Sequence, residues 1–142
     1  MASTIQDVMH IRCPPETAFD LMADPRNELN WNSGVSEAEL LSGEPIQEGS
    51  RFRIKDTRGE HEVELTTFQR PEKLGFHVQD RSMAVDIAFD ISHDGKITTM
   101  VGNFTAKGSG LMGLLLPLLI PFIRRQMAKE HKNFVALCES KS

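Results

Sequence analysis

Leu111-Met112-Gly113-Leu114-Leu115-Leu116-Pro117-Leu118-Leu119-Ile120-Pro121-Phe122-Ile123 runs directly into a charged helical tail, Arg124 to Ser142. Its thirteen residues fall short of the roughly 20 needed to cross a bilayer, and two prolines interrupt them. The run must be buried in protein, lie on a membrane surface, or face something apolar that is not protein. At 100° per residue Leu116, Ile120, Ile123, Met127, Phe134 and Cys138 form one stripe, with Arg125, Lys129 and Lys132 opposite. That pattern predicts a long amphipathic helix starting within 117–121 and reaching about Glu139. Leu115, Leu118 and Phe122 lie off the stripe and are still apolar. Helix–sheet packing does not require this, so another wall covers them or they line a ligand space.

The helix has a sheet to cover. Arg51 to Asp56 alternates, with Phe52 and Ile54 opposite Arg51, Arg53 and Lys55. Glu60 to Gln69 alternates again, and Leu74 to Val78 follows Pro71-Glu72. Met83, Val85, Ile87, Phe89 and Ile91 make an unbroken period-2 stripe, and Asp94-Gly95 is a hairpin signal leading to Lys96–Thr105. With Thr4–Arg12 and Val35–Leu41 this predicts seven antiparallel strands with one dry face, neighbours in sequence being neighbours in space. Pro14-Pro15-Glu16 starts a first short helix, and Asp24-Pro25 starts a second that carries Trp31 and stops near Ser33-Gly34. No repeat or linker divides residues 1–142, which are read as a single domain.

A net charge of −4 gives no whole-domain attraction to nucleic acid. The N-terminal residues lack a basic segment followed by an apolar core, so no secretory signal is read, and Cys13 and Cys138 are expected to be free buried thiols. A cytoplasmic protein is the expectation. Gly108-Ser109-Gly110-Leu111-Met112-Gly113 matches a dinucleotide fingerprint literally, but no parallel strand or acidic residue follows it. It is read instead as a flexible connection, with Gly108–Leu116 an adjustable flap over a pocket mouth beside Trp31. The five histidines show no metal-ligand spacing, so no metal and no cofactor is expected. There is no tyrosine, and no nucleophile–base pair has spacing support, so no catalytic residue is assigned.

Residues 11–26, Ile-Arg-Cys-Pro-Pro-Glu-Thr-Ala-Phe-Asp-Leu-Met-Ala-Asp-Pro-Arg, resemble the opening "I-x-A-P-P-E-x-V-F-D-L-L-A-D-P-x-R" of the START-like superfamily. That superfamily includes the Bet v 1 allergens and the polyketide cyclase/dehydrase proteins. Trp31 stands where the family commonly has a tryptophan, and Gly110-Leu111 through Phe134, Leu137 and Glu139 resemble its closing helix. The resemblance covers the whole chain. It implies an α+β helix-grip fold: a curved seven-stranded antiparallel sheet wrapped on the long C-terminal helix, with two short helices after strand 1. It also implies a cavity between sheet and helix.

The reading that follows is binding of a small hydrophobic molecule (lipid, quinone or polyketide-like). The expected lining is Trp31, Phe52, Phe76, Phe89, Phe104, Leu115, Leu119 and Phe122. His77, Asn103 and His131 are candidate polar contacts. A cyclase/dehydrase-type enzyme, in which one or two polar residues such as His77, Asn103 or His131 move protons, is the rival, and an interaction module with a vestigial pocket is the third reading. Arg124, Arg125, Lys129 and Lys132 beside the apolar run leave a transient membrane-surface contact open. The expected state is a monomer or homodimer.

Overall fold

The computed structural model describes residues 2–141. Its elements are β1 (Ala2–Ile11), α1 (Pro15–Ala23), a 3-10 helix (Pro25–Asn30), β2 (Glu37–Leu40), β3 (Arg51–Asp56), β4 (Gly59–Gln69), β5 (Lys73–Gln79), β6 (Met83–His93), β7 (Thr98–Gly108) and α2 (Leu111–Ser140). The strands form one antiparallel sheet in the order β1-β7-β6-β5-β4-β3-β2. From β2 onward it is a meander, as short connections dictate. β1 joins the far side against β7, with Ile5 opposite Phe104 and Met9 opposite Met100. A register shift between Leu65 and Thr67 bulges β4 against β5, where a side chain on Gly75 would press on Thr67. Such bulges bend a strand and help the sheet curve.

The two short helices follow their sequence signals. Pro15 opens α1, and Phe19 and Met22 enter the core. Asp24 caps the second segment, its carboxylate accepting from the Arg26 backbone N–H at 3.0 Å. That segment is 3-10 throughout rather than α-helical. β2 is shorter than the alternation suggested, and β7 begins at Thr98 rather than Lys96, because Asp94 accepts from the backbone N–H groups of Lys96 and Ile97 and holds both in the turn.

One end of the sandwich is solidly packed. Ile11, Phe19, Leu65, Leu74, Met100 and Phe134 are excluded from solvent there. Cys13 and Cys138 are buried in the same core and unlinked. Burial pushes the Cys138 thiol up to about 12, as expected where a thiolate would lack solvation. The Arg12 backbone N–H donates to Glu139 at 3.0 Å and fastens the end of α2 to the end of β1.

α2 corrects two expectations. It starts at Leu111, not within 117–121, and both Pro117 and Pro121 lie inside it. Proline's fixed φ is itself helical, so what is lost is the ladder bond each missing N–H would make. Both rings are on the exposed side, where water can take the carbonyls left without partners. The segment expected to be a flap, 108–116, is a tight corner followed by helix. A Cβ on Gly108 would lie 2.7 Å from the Gly113 nitrogen, and one on Gly113 would lie 2.9 Å from the Gly108 oxygen. Gly110 between them takes φ +56°. The glycines therefore serve close approach of strand end and helix start, not looseness.

Candidate functional site

The other end is hollow. A cavity of about 770 Å³ lies between the sheet and the first half of α2. The sheet wall is apolar: Val63, Phe76, Val78, Ile87, Phe89 and Phe104. Phe89 and Phe104 meet edge to face, with ring centres 5.7 Å apart. Gly102 makes this pair fit, since a Cβ there would stand 2.7 Å from Phe89 and 2.9 Å from Phe104. The helix wall begins apolar with Met112, Leu116, Leu119, Ile123 and Met127, then turns polar at Gln126, Glu130 and His131. Trp31, Glu28 and Asn32 close the end.

The polar end is organised rather than random. Glu130 is buried and receives the Ser33 N–H (3.0 Å), the Ser33 hydroxyl (2.8 Å) and the Gln126 amide (2.6 Å). Its lone pairs are thereby used, and α2 is tied to the turn after the 3-10 helix. His131 Nδ1 is hydrogen-bonded to Asp7 of β1. Its ring lies against Trp31 and Phe104, with centres 6.2 and 5.9 Å away. Its Nε2 has no hydrogen-bond partner among the described residues, and the residue lines the cavity. The Trp31 indole N–H is buried without a partner, while its ring packs edge-on against Phe134 at 5.3 Å.

Glu28 is half-buried as a residue, but its carboxyl is enclosed in the cavity wall. Burial pushes this acid up to about 7; the Asn32 amide, 3.4 Å away, offsets part of that, and the Asp56 charge adds to it. The rim carries Asp56, Thr57 and Arg58. Behind it buried His61 sits 2.7 Å from Asp56, and Arg58 pairs with Asp80 at 2.8 Å. Among the described residues no cluster of three His, Cys, Asp or Glu side chains could hold a metal ion.

Trp31, Phe76, Phe89, Phe104, Leu119 and His131 thus line the cavity, and five expected residues do not. Phe52 is fully buried in the core between Leu40 of β2 and Val63 of β4 and does not reach the cavity. His77 points to the outer face of the sheet, bonded to Asp86 at 2.7 Å, a contact that raises its pKa. Asn103 is on the same outer face and accepts from Gln6 at 3.1 Å. Period-2 alternation puts both opposite their inward neighbours Phe76 and Phe104. Leu115 and Phe122 point away from the cavity, on the exposed side of α2. Glu28 and Glu130 were not anticipated. Asp24-Pro25 marks the helix that presents Glu28, but nothing local marks the contact of Glu130 with Ser33.

A curved antiparallel sheet closed on one long helix around a cavity defines the helix-grip class. The chain matches the family described as polyketide cyclase/dehydrase and lipid transport over residues 2–139, and it belongs to that family. That family description, which includes lipid transport, supports a hydrophobic ligand-binding fold. Among solved structures it is similar to Ara h 8.0201, with 10% identity, TM-score 0.78 and 99% of each chain covered. It is also similar to the hypothetical protein jhp0584 from Helicobacter pylori, with 11% identity, TM-score 0.78, and 97% of this chain and 88% of that one covered. The di-domain ARO/CYC BexL from the BE-7585A biosynthetic pathway is similar at 14% identity and TM-score 0.74. There 98% of this chain is covered but only 49% of the other, so the chain spans about half that protein. No curated protein matches in sequence.

Proposed function

We propose that this protein binds a small, mainly apolar molecule with one hydrogen-bonding end, in the class of lipids, quinones and polyketide-like compounds. The observation that carries this reading is the two-sided cavity. Its volume of about 770 Å³ lies within the usual ligand-pocket range of roughly 300–1,000 Å³. The phenylalanine-rich sheet wall supplies burial for the body of the ligand, and Glu28 and the free Nε2 of His131 offer polar partners for its end. Native mass spectrometry of protein purified without delipidation is the direct test, with a retained small molecule as the expected result. Titration with fatty acids, quinones and flat aromatics, read by Trp31 fluorescence and thermal shift, extends it. No retained mass, no fluorescence change and no stabilisation in any class would overturn the reading.

A second reading is favoured by one specific feature. An acid with a pKa near 7 and an imidazole held by a carboxylate are both set in the cavity wall, as general acid–base chemistry requires. If the protein catalyses a cyclisation or dehydration of its ligand, Glu28→Gln and His131→Gln abolish turnover while ligand still binds. Ligand bound by the unaltered protein with no turnover would leave only the carrier reading.

A further inference from the structure

The first half of α2 carries a feature that the cavity does not use. Leu111, Leu114, Leu118 and Phe122 point to solvent and are 70%, 76%, 70% and 67% exposed. At 100° per residue they lie within about a quarter-turn of one line along the helix. Arg125, Lys129 and Lys132 continue that same line toward the C-terminus. Among the described residues, Arg124, Arg125, Lys129 and Lys132 have no salt-bridge partner, whereas Arg26, Arg51, Arg53, Arg58 and Arg70 all pair with carboxylates. The only acid of α2 before Lys132 is Glu130, which is buried and bonded to Ser33. On a chain of net charge −4, this face has been cleared of negative charge.

We propose that this face docks on an anionic lipid bilayer, with the Leu111 end dipped among the acyl chains and Arg125, Lys129 and Lys132 at the headgroups. The order of residues fits a tilted insertion: apolar at the tip, cationic one to two turns beyond. By length and composition α2 could cross a membrane, but its second half is packed into the protein at His131, Phe134 and Cys138. The unpacked apolar stretch from Leu111 to Ile123 is roughly 20 Å of helix against about 30 Å of hydrocarbon. A second copy of this chain is a poorer occupant. Two such faces brought together would set unpartnered cations against unpartnered cations, with no acid on either side to meet them. Anionic headgroups answer the same charges directly, and each cation near such a surface strengthens binding about fivefold. Leu116, on the side of the helix opposite this face, is buried at the cavity, with Met112 and Leu119 between the two, so the docking face and the cavity wall are separate sides of one helix.

The test is flotation of the full chain with vesicles of phosphatidylcholine alone and with about 30% phosphatidylglycerol added. Binding to the anionic vesicles is expected to exceed that to neutral ones by about tenfold or more and to fall with added salt. Leu114→Gln/Leu118→Gln/Phe122→Gln is expected to weaken anionic-vesicle binding at least about tenfold, and Arg125→Gln/Lys129→Gln/Lys132→Gln to erase the preference for anionic lipid. None of these six side chains except Lys129 borders the cavity, so the leucine–phenylalanine variant keeps its ligand affinity in solution. Vesicle docking and ligand binding therefore fail separately. Absence of vesicle binding by the unaltered protein, equal binding to both vesicles, or unchanged binding by the apolar variant overturns the proposal. A dimer that the apolar variant abolishes, with no vesicle binding, assigns the face to a second copy. Should the apolar variant not fold, the unaltered protein and the charge variant decide alone.

Discussion

The two halves of α2 share one axis and opposite fates. From Arg124 onward the helix is charged in sequence, yet it buries Glu130, His131, Phe134 and Cys138 against the sheet and its neighbours. The half before it is nearly all apolar, yet only Leu116 is buried. Hydrophobicity measures what a segment avoids, and it does not say whether protein is the thing that covers it. The charged half has a core to enter, and the apolar half stands over a hollow.

Phe134→Ala should break the packed half most severely. The ring is fully buried against Trp31, and its removal should cost about 3–5 kcal/mol in urea unfolding. Glu28→Gln probes the hollow end through pH. The carboxyl titrates near 7 when folded, above its ordinary 4.5, so the folded protein holds a proton that the unfolded chain has released. Stability from this group is thus present below about pH 4.5 and lost as pH rises through 7. The glutamine variant should gain about 2 kcal/mol more at pH 8 than at pH 5, relative to the unaltered protein. An equal gain at both pH values would mean that the carboxyl is not enclosed.

Smaller effects sharpen the contrast. Pro121→Ala restores an N–H to the exposed half and should stabilise it by about 1 kcal/mol, slowing amide exchange in residues 111–123 while leaving 130–138 unchanged. Slower exchange in both segments would show that the helix opens as one unit. Leu118→Gln should change unfolding free energy by less than about 0.5 kcal/mol, because the side chain already faces water. A loss of several times that would place a protein contact where the structure has none.

The sheet was readable because its code is local. Alternation in Phe52-Arg53-Ile54, in Val63-Glu64-Leu65 and along Met83–Ile91 depends only on neighbours two apart, and those residues occupy the strands expected. The same alternation already separated His77 from Phe76 and Asn103 from Phe104. His77 and Asn103, expected as cavity contacts, lie on the outer face by that same rule. The glycine corner misled for a different reason. A glycine permits looseness and close contact equally, and only the strand end lying against the helix start reveals which is in use. Phe52 and Phe89 look alike in sequence, yet only Phe89 borders the cavity, while Phe52 is covered in the core between β2 and β4. Glu130 was silent because its partner Ser33 lies at the other end of the chain.

The strand order has a consequence for how the protein is made. β1 leaves the ribosome long before β7, its sheet partner, with Ile5 waiting for Phe104. At ordinary synthesis rates that wait is roughly 5–20 s, during which the growing meander has an open edge and no helix to close on. Ile5, Met9 and Ile11 stay uncovered throughout, as does the inner face that α2 will grip. The nascent chain is therefore most exposed to aggregation, and most in need of a chaperone, until β7 and α2 have emerged.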